Sequence, residues 1–291
     1  MSLQVYALGE PQVFYKQTLL HFPTKKTEAL FYYLVLSAGE SLTREVIAEQ
    51  FWPMRPAGKA NHCLSTTLWR LRTMLKAQCP STQPYLLTDS PPFMIFNRQA
   101  DYWLDVEAFE QAAILGLQGP CPCSDEQCQA LEKALTLYRA DLLEGCYEDW
   151  CRSERERLQT FYIKVLRKLL HHHQCLEDFG TAIHYGQRLL ALDVLQEDIY
   201  RDLMRCYAAV GQRPRALEIF QECCTLLRQE CNIEPMPETY QLYRQIRAGE
   251  SLKFGDPLPF KHHSALQTAI TQTQRALETL EAVLRSLQVV E

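Results

Sequence analysis

The chain has 291 residues, 12 of them cysteine, with 47% apolar residues and a formal net charge of −5. That apolar content supplies packed cores and excludes a largely disordered protein, and the length suits two domains or one domain with an extended helical array. No apolar run approaches the roughly 20 residues of a membrane span, and the opening Met1-Ser2-Leu3-Gln4 shows no basic-then-apolar leader, so a cytoplasmic chain with reduced thiols and no membrane partner is expected.

Charge is divided unevenly. Residues 1–100 carry a net +4, residues 101–250 a net −9, and residues 251–291 balance. A basic head on an acidic body points the head toward polyanions and the body toward protein. Between Glu49 and Asp89 there is no acid at all, while Arg55, Lys59, Arg70, Arg72 and Lys76 fall there. A basic helix on an acidic protein is the electrostatic footprint of a duplex-DNA reader, and equally the look of a solvated surface helix.

In chain order, Leu3-Gln4-Val5-Tyr6-Ala7-Leu8 alternates weakly up to Gly9 and reads as a strand, with Val13-Phe14-Tyr15 and Leu19-Leu20-His21-Phe22 as two more. After Pro23 the period changes, and Ala29, Leu30, Tyr33, Leu34 and Leu36 fit one face of a helix over 24–37, closed by Gly39. Thr43 can cap a second helix over 44–52, ended by Pro53. A third, over 57–76, puts Leu64, Leu68, Leu71 and Leu75 on one apolar stripe. At about 100° per residue, the opposite face holds Lys59, His62, Thr66, Trp69, Arg70 and Thr73. Cations and hydroxyls suit phosphate oxygens, and Thr, His and Arg also reach base edges in a major groove. Lys25, Lys26 and Arg44 are further candidates for phosphate. Tyr85-Leu86-Leu87-Thr88 and Phe93-Met94-Ile95-Phe96, around Asp89-Ser90-Pro91-Pro92, read as a hairpin.

Strands, three helices and a hairpin follow the order of a winged helix with an N-terminal sheet. Phe22-Pro23-Thr24-Lys25-Lys26-Thr27-Glu28-Ala29-Leu30, Leu42-Thr43-Arg44-Glu45, Phe51-Trp52-Pro53 and Leu68-Trp69-Arg70-Leu71-Arg72 resemble the OmpR-type winged helix of the Streptomyces antibiotic regulatory protein (SARP) family. Tyr102-Trp103-Leu104-Asp105-Val106-Glu107-Ala108-Phe109 resembles the start of that family's second domain. Trp69 departs from the pattern, because its position is usually small and polar in the family. An indole there packs on a sugar or a thymine methyl, or buries against protein and spoils the helix as a DNA reader.

From Asp105 onward the chain reads almost wholly helical. It repeats on itself at a 34-residue offset, Ala182-Ile183 with Ala216-Leu217, Gln187 with Gln221 and Leu192 with Leu226. Leu203, Tyr207, Gly211, Ala216 and Phe220 have tetratricopeptide spacing, with small Ala216 allowing close approach and Tyr207 and Phe220 filling between paired helices. Ala134-Leu135-Thr136-Leu137-Tyr138-Arg139, Asp149-Trp150, Glu154-Arg155-Glu156-Arg157-Leu158, Gly211-Gln212-Arg213 and Glu234-Pro235 are similar to the same family's bacterial transcriptional activator domain (BTAD). The resemblance, over roughly residues 3–248, implies an activator that binds direct repeats side by side as a homodimer and contacts RNA polymerase. It places the third helix in the major groove and the hairpin wing on the backbone or minor groove. The acids Glu148, Asp149, Glu154 and Glu156 either face a partner or, on the favoured reading, form a solvated face with internal pairs such as Glu154 with Arg157.

Cys121, Cys123 and Cys128 could join Cys146 or Cys151 around a zinc, or sense redox, but C-x-C-x₄-C is not a common zinc spacing and the main reading is ordinary exposed thiols with no metal. His171-His172-His173 point three ways on a helix and cannot form one ligand face. No G-x-x-x-x-G-K-[ST], G-x-S-x-G or H-E-x-x-H occurs, so neither an enzyme nor a cofactor is expected. After a linker, Leu266, Ile270, Leu277, Leu280, Leu284 and Leu287 give a heptad seam, which fits a dimer zipper or a capping helix equally.

The expected fold is mainly α with a small β component: a winged helix at 1–97, a tetratricopeptide-like BTAD at 101–248, a linker at 249–262 and an amphipathic helix at 263–291. The expected function is a transcriptional activator bound to double-stranded promoter DNA. The alternative is a protein-interaction adaptor in which both domains bind protein.

Overall fold

The computed structural model describes residues 3–81, 83–87 and 93–250. The wing tip, the 249–262 linker beyond Glu250 and the expected C-terminal helix lie outside the described residues.

The chain begins with an antiparallel meander of β1 (Leu3–Tyr6), β2 (Gln12–Tyr15) and β3 (Thr18–Leu19). Alternation fixes the inward face: Leu3, Val5, Val13 and Tyr15 are buried. Lys16 and Gln17 turn the chain between β2 and β3 with positive φ angles of 46° and 73°, the backbone that a two-residue hairpin demands.

Three helices follow. Thr24 and Thr43 cap α1 (Lys25–Leu36) and α2 (Arg44–Phe51), their side chains accepting from the backbone N–H groups of Thr27 and Val46. In α3 (Ala57–Gln78) the stripe Leu64, Leu68, Leu71 and Leu75 is buried, as its period predicts. A small sheet, β4 (Leu42–Thr43), β6 (Phe93–Phe96) and β5 (Leu86–Leu87) in that order, makes the wing. The pairing of β4 against β6, Leu42 opposite Met94, is not marked by any alternation in the sequence.

β7 (Tyr102–Leu104) pairs in parallel with β1, Leu3 opposite Tyr102 and Val5 opposite Leu104. The first sheet thus has the order β3-β2-β1-β7 and reaches past residue 97, to the residue that precedes the first helix of the body. That helix, α4 (Asp105–Gly116), is followed by α5 (Asp125–Leu137), α6 (Trp150–Cys175), α7 (Phe179–Leu192), α8 (Glu197–Ala209), α9 (Arg213–Leu226), a π-helical turn over Leu227–Cys231 and α10 (Pro237–Ala248). Neighbours in sequence pack on one another from α6 through α10, the stacked geometry of a helical-repeat array. The 34-residue offset lays α7 on α9, with Ala182 and Ala216 fully buried at equivalent places and Tyr207 and Phe220 buried between helices. Gly116 closes α4 against α5: a Cβ there would stand 2.5 Å from Leu131 Cγ and 3.1 Å from the Gln127 carbonyl oxygen. No described helix is long and apolar enough to cross a membrane.

The winged helix and the body are knitted together. Asp105 is 1% exposed, and its carboxylate accepts from the backbone N–H of Ala7 at 2.8 Å and of Leu8 at 2.9 Å. Arg139 stands 3.6 Å from the same carboxylate and lies over the Tyr6 ring. Burial pushes the Asp105 carboxyl up from its ordinary value, against the pull of those N–H groups and of Arg139. Backbone bonds continue the seam from Leu143 to the Ala7 carbonyl at 2.7 Å and from Gly9 to the Asp141 carbonyl at 3.0 Å. On the other side of the joint, Trp150 packs on Tyr33 and Phe51, with ring centroids 5.2 and 6.2 Å away.

Two stability predictions follow from these contacts. Asp105→Ala strands two fully buried N–H donors, and urea denaturation should show a loss of about 2–5 kcal/mol, since a buried unsatisfied donor costs about 1–3 kcal/mol. Gly116→Ala overpacks the α4–α5 contact and should cost about 1–3 kcal/mol in the same assay.

Candidate nucleic-acid interface

The side of α3 turned away from the core is open. Lys59, His62, Arg70 and Thr73 are exposed, Thr66 is half-buried, and Trp69 is 66% exposed. The five polar candidates and the indole therefore share one face, as their spacing predicts. Thr66 donates its hydroxyl hydrogen to the His62 carbonyl at 3.1 Å, which leaves its oxygen to accept. Trp69 does not bury against the protein core. It offers a flat apolar face amid cations and hydroxyls.

The flank of this face is held by α2. Arg44, the first residue of α2, donates from Nη2 to Ser65 Oγ at 2.7 Å, and Ser65 in turn donates to the Asn61 carbonyl at 2.8 Å. Arg44 is thus both a half-buried strut between helices and a cation at the edge of the face. Arg55 reaches across to Cys63 Sγ at 3.0 Å on the opposite flank. Lys25 is exposed at the start of α1.

Lys26 is placed differently from its expected role as a phosphate cation. Its Nζ donates to both carboxylate oxygens of Glu148, at 2.7 and 3.0 Å, and lies over the Phe51 ring. Glu148 accordingly belongs to the domain joint and not to a solvated acidic face. Both corrections have one cause, because the partners are 122 residues apart and meet only when the body folds back on α1. Glu154 and Arg157 do pair, and Arg157 also bonds Glu110.

One feature of this region was not legible in the sequence. Between the C-terminal part of α3 and the wing strand β5 lies an open cleft of about 450 Å³, lined by Arg72, Leu75, Lys76, Cys79, Tyr85 and Leu87 among others. Arg72 and Lys76 put two positive charges at the junction of helix and wing. Burial pushes the Cys79 thiol up to about 11, so it lines the cleft as a neutral, apolar group.

Among the described residues, the loop thiols included, no group of three or more His, Cys, Asp and Glu side chains is placed to hold a metal ion. Cys123 is buried and donates its backbone N–H to His172 Nδ1 at 3.0 Å, while Cys121 and Cys128 are half-buried. The three histidines go three ways, His171 to Asp202, His172 to this loop and His173 to Asp178.

Residues 104–247 match the bacterial transcriptional activator domain family. Over 255 residues the chain is 24% identical to the regulatory protein AfsR of Streptomyces griseus, covering 86% of this chain and 25% of that protein. It is 22% identical over 249 residues to the transcriptional regulatory protein MoaR1 of Mycobacterium tuberculosis, covering 84% of this chain and 79% of that one. The body thus carries the bacterial transcriptional activator domain, and the chain resembles SARP-type regulators along most of its length. The chain spans only a quarter of the length of AfsR. Its fold is that of Mycobacterium tuberculosis EmbR, solved in complex with a low-affinity phosphopeptide, with a TM-score of 0.67 and 17% identity over 95% of this chain and 71% of that one.

Lys26 and Arg70 make a paired prediction. If α3 reads DNA, Lys26→Met, which removes a cation already paired with Glu148, should leave the salt dependence of that binding unchanged and cost at most about 1 kcal/mol of stability, the value of a part-exposed ion pair. Arg70→Met should flatten that salt dependence with no loss in stability. Binding isotherms at several salt concentrations, beside thermal melts, check both.

Proposed function

We propose that this chain is a SARP-type regulator, a sequence-specific DNA-binding activator that recruits RNA polymerase at promoters. The observation that carries the reading is the exposed face of α3, on which Lys59, His62, Thr66, Arg70 and Thr73 stand together with no acid among them. A helix of this breadth fits the major groove of B-DNA, about 12 Å wide. Lys59 and Arg70 supply phosphate and base contacts, His62, Thr66 and Thr73 supply hydrogen bonds, and Trp69 packs on a sugar or a thymine methyl. Lys25 and Arg44 neutralise flanking phosphates, while Arg72 and Lys76 do so where the wing meets the helix. The acidic helical body is the face for RNA polymerase, and two copies sit side by side on direct repeats. In this reading the protein works in the cytoplasm, where its promoter is.

The adaptor reading draws on Trp69, whose exposed indole is also what a protein-binding hot spot looks like. One experiment separates the two. Purified protein is titrated with its own upstream duplex and with a random duplex at two salt concentrations, beside Arg70→Ala and Trp69→Ala. The activator reading expects tight, sequence-dependent binding that Arg70→Ala weakens by about 1–3 kcal/mol. Trp69→Ala should weaken it as well without changing the melting curve, because the indole contributes little to the core. Binding no better than to random duplex, with no effect of Arg70, would move the function to the adaptor.

A further inference from the structure

Two thiols lie side by side where the domains meet. Cys146 follows Gly145 in the turn that leads to α6, and Cys151 sits in the first turn of α6. Their Sγ atoms are 3.5 Å apart and both are free thiols. A disulfide holds its sulfurs at about 2.05 Å, so the remaining gap is about 1.5 Å, within reach of side-chain rotation and a small turn adjustment. The two differ in access: Cys151 is fully buried, whereas Cys146 is half-buried and open to a small oxidant.

The surroundings divide the labour between them. Arg155 donates to the carbonyl oxygens of Leu142 at 3.0 Å, Leu143 at 3.3 Å and Cys146 at 3.0 Å, which fixes a positive charge beside the turn. The hydrogen bond shared with Cys151 brings the Cys146 thiol down to about 6, against burial and the Glu148 carboxylate, with help from the Glu148 backbone N–H and from Arg155. The same hydrogen bond, with burial, pushes Cys151 up. An accessible thiolate beside a buried, proton-bearing thiol is the arrangement of an attacking and a resolving cysteine.

We propose that Cys146 and Cys151 form a thiol–disulfide site oxidised by hydroperoxides. The Cys146 thiolate attacks a peroxide oxygen. The S–O bond forms as the O–O bond breaks, and the departing oxygen leaves as water or an alcohol after taking up a proton. Cys151 sulfur then attacks the sulfenic sulfur of Cys146. The S–S bond forms as the S–O bond breaks, and the hydroxyl leaves as water with the Cys151 proton. Two thiols give up two electrons, and one hydroperoxide is reduced. The bridge closes the segment that carries Glu148 and Trp150, the two side chains that meet Lys26, Tyr33 and Phe51 of the winged helix. Oxidation therefore acts on the joint between the DNA-reading half and the body.

The test uses the full chain. Trypsin cuts after Arg139 and Arg152, so both cysteines fall in one peptide, residues 140–152. The protein is treated with hydrogen peroxide, its remaining thiols are blocked with iodoacetamide, and the digest is weighed. The expected peptide carries no alkyl group, is two hydrogens lighter than the reduced form, and regains both thiols with dithiothreitol. Cys146→Ser should never form the bridge, and Cys151→Ser should leave a sulfenic acid on Cys146 that dimedone labels. A wild-type peptide that still takes two alkyl groups, at a peroxide dose that has oxidised the exposed Cys175 and Cys231, would overturn the proposal. The wild-type measurement decides the matter even if Cys151→Ser fails to fold.

Discussion

The architecture depends on one buried carboxylate. Asp105 opens the first helix of the body, and its two oxygens hold the N–H groups of Ala7 and Leu8, where the first strand of the winged helix ends. A carboxylate taken from water costs several kcal/mol unless its lone pairs are filled. Here the compensation comes from both sides, in two backbone donors of the winged helix and the Arg139 guanidinium of the body itself. Neither half can satisfy this group alone. The strand end would keep open donors without the aspartate, and the aspartate would keep only Arg139 beside it, with no Ala7 or Leu8 N–H to fill its lone pairs, without the strand.

Around that point the joint is built from several kinds of contact, and together they orient α3 relative to the body. Parallel pairing of β1 with β7 sets the register, the Trp150–Tyr33–Phe51 cluster fills the far side, and Lys26 with Glu148 closes its rim. Such an interface does not behave as a flexible tether. Packed rings of this kind have few alternative arrangements, so the contacts fix one orientation of the two halves.

What could be read from the chain was whatever has a local period or a local cap. The stripe Leu64, Leu68, Leu71 and Leu75, the caps Thr24 and Thr43, and the equivalence of Ala182 with Ala216 are all fixed within a few turns of helix, and the structure places them accordingly. The exposed face of α3 was legible for the same reason, being the complement of its buried stripe. The rest needed partners far away in sequence. Nothing local says that Lys26 will spend its charge on Glu148, that Tyr102–Leu104 will lie beside Leu3–Val5, or that Gly116 is small because Leu131 comes within 2.5 Å of where a Cβ would be. The cleft between α3 and the wing is hidden for a related reason, since it belongs to the space between elements.

The parallel β1–β7 pair also orders events in time. A chain growing from its N-terminus makes β1 first, yet β1 stays an open edge on one side until residue 104 has been synthesised, and its end stays unsatisfied until Asp105 follows. Domains commonly fold as units while synthesis proceeds, but here the unit that carries α3 does not end where its wing ends. A fragment cut at residue 97 would carry a central strand turned into an edge, with free N–H and C=O groups facing solvent, a template for pairing with another copy. The smallest self-sufficient piece of this protein therefore includes part of what looks, by sequence, like its neighbour.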